Sequence, residues 1–407
     1  MKVYLRTFGC RANHADSEAV RGAVLAAGHE IVRAPEQADW AVFNSCAVTA
    51  DAEADLRQAV RRAARRAPQV RSLVMGCVSG LPDRDAALLA LPSVRALVRG
   101  GDVDAVAASL GIRAAPAARQ SGTRALLRIQ DGCDEHCTFC TTRLARGQNR
   151  SRPMGEVVRD AAALAGAHPE IVLTGIHIGG YGADIGASLG ELVERLVRGV
   201  PAVRFRLSSV EATEVDERLA DLLVSADAAL APFLHAPLQS GSASLLRRMG
   251  RHWYTPSEYA VRVEALAARA GAFGLGADVI AGFPGETDAD HAHTLALCER
   301  LPFTYLHVFP FSPRPGTPAE RLPDPVSPDR ARARAAELRA LAERKAAAYA
   351  ASRAGTQADV VVEGRAGSRS GLTEDYLSVG LADATLPRGH RFVGHLSAGP
   401  DGSLVAA

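Results

Sequence analysis

Cys133, Cys137 and Cys140 stand in the run Gln130-Asp131-Gly132-Cys133-Asp134-Glu135-His136-Cys137-Thr138-Phe139-Cys140, so three thiolates converge on one centre with no fourth cysteine nearby. An iron-sulfur cluster normally takes four thiolates, and a missing fourth leaves one iron free to bind something that reacts. Zinc is the competing tenant. A structural zinc site wants four closed ligands, usually drawn from two spaced pairs. The local candidate for a fourth ligand is His136, which is adjacent to Cys137 and poorly placed to reach the same ion.

Three further cysteines belong to the elements that would position them. Val3 to Phe8, Trp40 to Phe43 and Leu73 to Met75 read as strands; Ser17 to Ala27, Asp51 to Ala67 and Asp83 to Ala90 read as helices, the first closed by Gly28. Such alternation predicts a doubly wound parallel sheet. Cys10, Cys46 and Cys77 each follow one of these strands, beside Gly9, Ser45 and Gly76. Carboxyl ends of parallel strands share the edge where open α/β sheets bind ligands. A second three-cysteine site follows; the alternative is three small buried hydrophobes, common for free cysteine. Cys298, inside the helical run Thr294 to Leu301, reads as core.

From Ala125 the alternation resumes, with strands expected at Ala125 to Ile129, Ile171 to Leu173, Val203 to Leu207, Phe233 to His235, Leu275 to Ile280 and Tyr305 to Val308. Six strand-helix units predict a partial TIM-type (βα)6 barrel, and the cysteine triad follows its first strand, at the mouth where barrel chemistry occurs. Thr174-Gly175, Ser208-Ser209 with Glu211, Gln239-Ser240-Gly241 and Gly282 to Glu286 follow later strands, where glycine allows close backbone approach. Pro328 to Ser352 reads as a long helix. Beyond Ala354, short strands at Asp359 to Glu363, Tyr376 to Val379 and Leu404 to Ala406 predict a small β-barrel.

The chain has 407 residues, 47% hydrophobic and 23% charged, enough for about two to three domains. No apolar run reaches membrane-spanning length and the amino terminus has no signal core, so a cytoplasmic location without membrane attachment is expected. Seven cysteines in such a chain point to metal sites or burial, not disulfides. A net charge of +2 does not identify a nucleic-acid partner. Arg143, Arg146, Arg150 and Arg152 do form a local cluster beyond the triad, suited to phosphate oxygens.

The Cys133-x3-Cys137-x2-Cys140 spacing, with Phe139 before the last cysteine, resembles the signature of radical S-adenosylmethionine enzymes. With the amino-terminal trio, the whole chain resembles their methylthiotransferase family. Asn44 to Thr49, Leu173 to Gly182 and Leu306 to Thr317 resemble the type that acts on N6-threonylcarbamoyladenosine in tRNA, although Ser45, Ala47 and the run Thr141 to Leu144 depart from it.

The resemblance implies a tRNA methylthiotransferase converting N6-threonylcarbamoyladenosine at position 37 to its 2-methylthio derivative. Two 4Fe-4S clusters are implied, one on Cys133, Cys137 and Cys140 and an auxiliary one on Cys10, Cys46 and Cys77. S-adenosylmethionine would meet Phe139, Gly175, Ser209, Glu211, Gln239, Ile280 and Gly282; no catalytic residue beyond the cluster ligands is singled out. Arg143, Arg146, Arg150 and Arg152 would contact RNA. The implied domains are 1–115 for the auxiliary cluster, 120–350 for the radical chemistry and 354–407 as a TRAM-like RNA-binding barrel. The implied partners are the tRNA anticodon stem-loop, a flavodoxin- or ferredoxin-type electron donor and a sulfur source. Two alternatives stand beside this: a sister enzyme acting on isopentenyladenosine or a ribosomal-protein aspartate, and a non-catalytic zinc- and RNA-binding protein.

Overall fold

The computed structural model describes residues 1–47, 50–115, 117–225, 228–365, 368–399 and 402–407; Val48 and Thr49 of the Asn44 to Thr49 motif lie outside them. Two compact units result, one of residues 1–136, 140–167 and 173–187, the other of residues 137–139, 168–172 and 188–407.

The first unit is built on five parallel strands, β1 (Lys2–Thr7), β2 (Glu30–Val32), β3 (Trp40–Ser45), β4 (Arg71–Gly76) and β5 (Val94–Arg99), in the order β2-β1-β3-β4-β5. β3 is buried along its whole length: Trp40 to Phe43 read as an apolar run, and the buried Asn44 and Ser45 close it. Val20 and Val24 of the helix Arg11–Ala26 cover one face with Val42 and Met75. Leu56 and Val60 of the helix Ala50–Arg66 cover the other with Phe43 and Val74. β2 and β5 escape a sequence reading because β2 has three residues and β5 is interrupted by Arg95 and Arg99.

β6 (Ala125–Arg128) leads to a short antiparallel pair, β7 (Gln130–Asp131) and β8 (Arg150–Ser151). This pair clamps both ends of the segment that carries the cysteine triad. Beyond it come β9 (Glu170–Thr174), β10 (Arg204–Leu207), β11 (Phe233–His235), β12 (Gly274–Ala281) and β13 (Tyr305–Pro310). In the first unit the Ile129 N–H donates to Thr174 C=O. In the second, Arg204 N–H donates to Pro169 C=O, Phe205 bridges Leu230, and β11, β12 and β13 pair in parallel. These strands, with helices between them, are the expected open barrel of TIM type.

The second unit ends in a closed barrel of β14 (Gln357–Arg365), β15 (Ser368–Leu372), β16 (Ser378–Leu381), β17 (Arg391–Ala398) and β18 (Leu404–Ala406), ordered β14-β15-β16-β18-β17. The sequence reading missed β15 and β17. Ser-Arg-Ser-Gly-Leu and Arg-Phe-Val-Gly-His-Leu-Ser-Ala are dominated by outward polar positions, and each strand turns mainly one large apolar residue, Leu372 or Leu396, inward.

Within the second unit a buried charge group ties β9 and β10 to this barrel. Arg204 and Arg206 share Glu170 at 2.6 and 2.8 Å, with all three side chains fully buried. Arg204 donates to the carbonyls of Asp359 and Leu372, and Arg206 to those of Thr373 and Glu374. Glu170→Gln removes the shared counter-charge, and breaking a buried pair costs about 3–5 kcal/mol. A urea midpoint lowered accordingly is expected; an unchanged midpoint would show that the carbonyls and the Asp359 carboxylate, 3.1 Å from Arg204, hold the two guanidinium groups without Glu170.

Candidate metal and cofactor centres

β1, β3 and β4 are neighbours in a parallel sheet, so their carboxyl ends open on one edge. Cys46 and Cys77 follow the register-paired residues Ser45 and Gly76 directly. Cys10 arrives three residues after β1 through Gly9, whose φ of +100° and lack of a side chain let the loop lie on Cys46. A Cβ on Gly9 would fall 2.5 Å from Cys46 Cβ and 2.7 Å from its Sγ. Asn13, in the first turn of the following helix, gathers the edge. Its Oδ1 lies 3.7 Å from Cys10 Sγ and 3.8 Å from Cys77 Sγ, and its Nδ2 donates to Ser45 C=O at 2.6 Å.

A cation completes this centre. Arg146 Nε donates to Cys77 Sγ at 3.4 Å, and its Nη2 reaches Asn13 Oδ1 and Asp16 Oδ2, each at 2.9 Å. Burial pushes the Cys77 thiol up to about 11, with Arg146 opposing. Asp16 is likewise raised by burial against the pull of Arg128 and Arg146. A bare thiol here stays protonated near neutral pH; metal coordination deprotonates it, and the buried guanidinium then faces a thiolate. Three cysteines around Asn13, with a cation behind one of them, fit an anionic iron-sulfur cluster.

The structure corrects one expectation about the arginine cluster. Arg146 is not a surface cation for phosphate: its side chain is fully buried and committed to Asp16, Asn13 and Cys77. Arg152 is half-buried on Asp160 at 2.7 Å. Arg143 and Arg150 are exposed, Arg143 against His136 and Arg150 bonded to Arg146 C=O.

The triad lies on the segment clamped by β7 and β8. Gly132, at φ +76°, would push a Cβ to within 1.8 Å of Gln148 C=O, so glycine is required where the loop departs. Cys133 N–H donates to Gly147 C=O, its Sγ is 3.6 Å from His177 Nδ1, and Cys140 Sγ accepts from Thr142 N–H at 3.4 Å. Gln130 binds the loop at Gly132 C=O and Asn149 and accepts from the N–H groups of Ile176 and His177. Gly175 is glycine because a Cβ there would meet Gln130 at 2.8 Å.

In the second unit Cys137 Sγ accepts from Arg251 Nη1 at 3.5 Å. Arg251 is buried, bonded to both oxygens of Glu211 at 2.5 Å, and stacked over Trp253 and Tyr254. Burial opposes its charge, and Glu211 more than restores it, holding the guanidinium well above its usual range. Glu211 therefore acts through Arg251 instead of presenting a free carboxylate. Phe139 packs edge-on against Phe283 at 6.3 Å.

Ser209 is exposed and bridges His235 at the strand ends. Gln239 is held at φ +62° and accepts from Ile280 N–H. Gly282, at φ +78°, donates its N–H to Glu286 and packs on Ala331 so closely that a Cβ would come within 2.3 Å. Ser209, Glu211, Gln239, Ile280 and Gly282 thus follow or end β10, β11 and β12. Sequence reasoning missed Asn13, Gln130, His177 and Arg251. Arg251 closes the run Arg247-Arg248-Met249-Gly250-Arg251, which reads as a basic turn.

Residues 2–98 match the family model described as "Uncharacterized protein family UPF0004", and residues 127–298 match the Radical SAM superfamily. A threonylcarbamoyladenosine tRNA methylthiotransferase of Thermotoga maritima, MtaB, is 34% identical over 79% of this chain and 77% of its own. The MtaB of Bacillus subtilis is 35% identical over 86% and 82%. A tRNA-2-methylthio-N(6)-dimethylallyladenosine synthase of Methylococcus capsulatus is 34% identical over 94% and 90%. Among solved structures, the radical S-adenosylmethionine methyltransferase TsrM of Kitasatospora setae matches 78% of this chain and 77% of its own, at TM-score 0.59 and 17% identity, a likeness of fold.

Proposed function

Because the chain belongs to the radical S-adenosylmethionine methylthiotransferases, we propose that it converts N6-threonylcarbamoyladenosine at position 37 of tRNA to the 2-methylthio nucleoside. The observation that carries the reading is the second cysteine trio: Cys10, Cys46 and Cys77 on one sheet edge give a place for sulfur apart from the radical centre. The relatives named for this nucleoside and the motifs Leu173 to Gly182 and Leu306 to Thr317 support the substrate.

When bound, the cluster on Cys133, Cys137 and Cys140 supplies the electron for reductive cleavage of S-adenosylmethionine, and that on Cys10, Cys46 and Cys77 handles the sulfur. The chain's own residues hold and orient these groups. Gln130 and the β7–β8 clamp fix the triad loop, and Arg251, anchored by Glu211, sets a positive charge on Cys137. Arg146, anchored by Asp16, does the same for Cys77. Phe139, Gly175, Ser209, Gln239, Ile280 and Gly282 are assigned to the S-adenosylmethionine side. We assign 1–115 to the auxiliary cluster, 120–350 to radical chemistry, and 354–407, with Arg143 and Arg150, to RNA. Among the described residues no helix is long and apolar enough to cross a membrane.

The deciding experiment is nucleoside mass spectrometry of tRNA from a deletion strain. Loss of 2-methylthio-N6-threonylcarbamoyladenosine is expected. Loss of the methylthio dimethylallyl or isopentenyl nucleoside instead, or an unchanged tRNA, overturns the substrate assignment. A second expectation concerns Arg146→Gln. Groups that support metal ligands are worth about 10–100-fold in metal affinity, so this variant sheds auxiliary-cluster iron to a chelator faster than wild type. Arg143→Gln, at an exposed site, retains it. Equal retention in both would reduce Arg146 to packing.

A further inference from the structure

His235, Asp278 and His307 stand on the three neighbouring strands β11, β12 and β13. Asp278 is register-paired with His307, and His235 lies level with Gly276, two residues before Asp278. Asp278 Oδ1 is 3.1 Å from His235 Nε2 and 3.4 Å from His307 Nδ1, and all three ligand atoms lie within 4.8 Å of one another. Ligands of a tetrahedral zinc at their usual bond lengths stand about 3.3–3.5 Å apart. The two imidazole–carboxylate distances are therefore close to those of a coordination shell, and the two imidazole nitrogens lie within 4.8 Å of each other.

The surroundings are built to hold it. Tyr305 OH lies 2.7 Å from His235 Nδ1, leaving Nε2 turned to Asp278, the arrangement that orients metal-bound histidines through their second nitrogen. Tyr305 reaches His235 by lying across Gly276, where a Cβ would meet its ring carbon at 2.0 Å. The rings of His235, Tyr305 and His307 pack together at 5.1–5.6 Å. His235 is buried while His307 is 55% exposed on its side chain, so the group has a fixed inner wall and an open outer side.

We propose that His235, Asp278 and His307 form a binding site for a divalent first-row transition-metal ion, of which zinc is the probe. Two imidazoles and one carboxylate suit such ions, and three protein ligands leave positions for water or for an oxygen or nitrogen donor of a substrate. The site uses none of the six cysteines, and its failure would leave the proposed tRNA chemistry untouched.

The test is equilibrium dialysis of the full-length, cluster-loaded protein against zinc buffered at micromolar free concentration, with zinc, iron and sulfide counted per chain. One zinc per chain is expected, with nitrogen and oxygen but no sulfur neighbours in its X-ray absorption spectrum. Asp278→Asn and His307→Ala should abolish that zinc with iron content unchanged, and Tyr305→Phe should weaken it by about 10–100-fold. Because His307 is exposed, its variant keeps the test independent of folding. Sulfur-bound zinc, zinc indifferent to both variants, or no zinc at all would overturn the proposal, the last leaving a hydrogen-bonded His-Asp-His chain.

Discussion

Cys137→Ala is expected to abolish release of 5'-deoxyadenosine from S-adenosylmethionine, measured anaerobically with a chemical reductant and without tRNA. A complete loss is expected, because on the proposed assignment these three thiolates would be the whole protein contribution to a cluster with an open iron, and two would not hold it in place. Cys137 is also the triad cysteine that faces Arg251, so the variant removes the thiolate opposite a buried guanidinium. Cys298→Ala is the matched control: that thiol is fully buried in the helix Asp288–Arg300, away from both trios in sequence, and its loss leaves release intact. Wild-type release by Cys137→Ala would sink the assignment of the triad.

Cys46→Ala separates the two halves of the reaction. On the proposed two-cluster reading, release of 5'-deoxyadenosine is expected to continue, the methylthio nucleoside to disappear, and iron per chain to fall by about half. Cys46 is the severe choice within its trio. It follows the β3 residue paired with Gly76, and Gly9 folds directly onto it. Product formed at the wild-type rate would show that the amino-terminal trio is not the sulfur site. Loss of cleavage together with product would show that the two trios do not act separately.

Much of this was legible in the sequence because cysteine spacing is local and the carboxyl ends of parallel strands share an edge wherever the sheet is doubly wound. The strands at Trp40, Phe233 and Leu404 begin at the residues the sequence predicts. The illegible parts depend on contacts between distant residues. Arg146 lies in a basic run that reads as a phosphate-binding loop, and its burial follows from Asp16 and Asn13, more than a hundred residues upstream. Arg251 has meaning only beside Glu211 and Cys137. His235, Asp278 and His307 are isolated in sequence and meet only through strand register.

The arginines of β10 hold the terminal barrel mainly through main-chain carbonyls, those of Asp359, Leu372, Thr373 and Glu374. Carbonyls are supplied by every residue type, so these four contacts are indifferent to the side chains the barrel displays; the Asp359 carboxylate, 3.1 Å from Arg204, and the Tyr376 ring under Arg206 are the side-chain part of the joint. Mutations can therefore accumulate on the barrel's outer surface without matching changes at Glu170, Arg204 or Arg206. Homologues carrying dissimilar tail sequences should share the same joint, and exchanging tails between them is a practical way to build chimaeras.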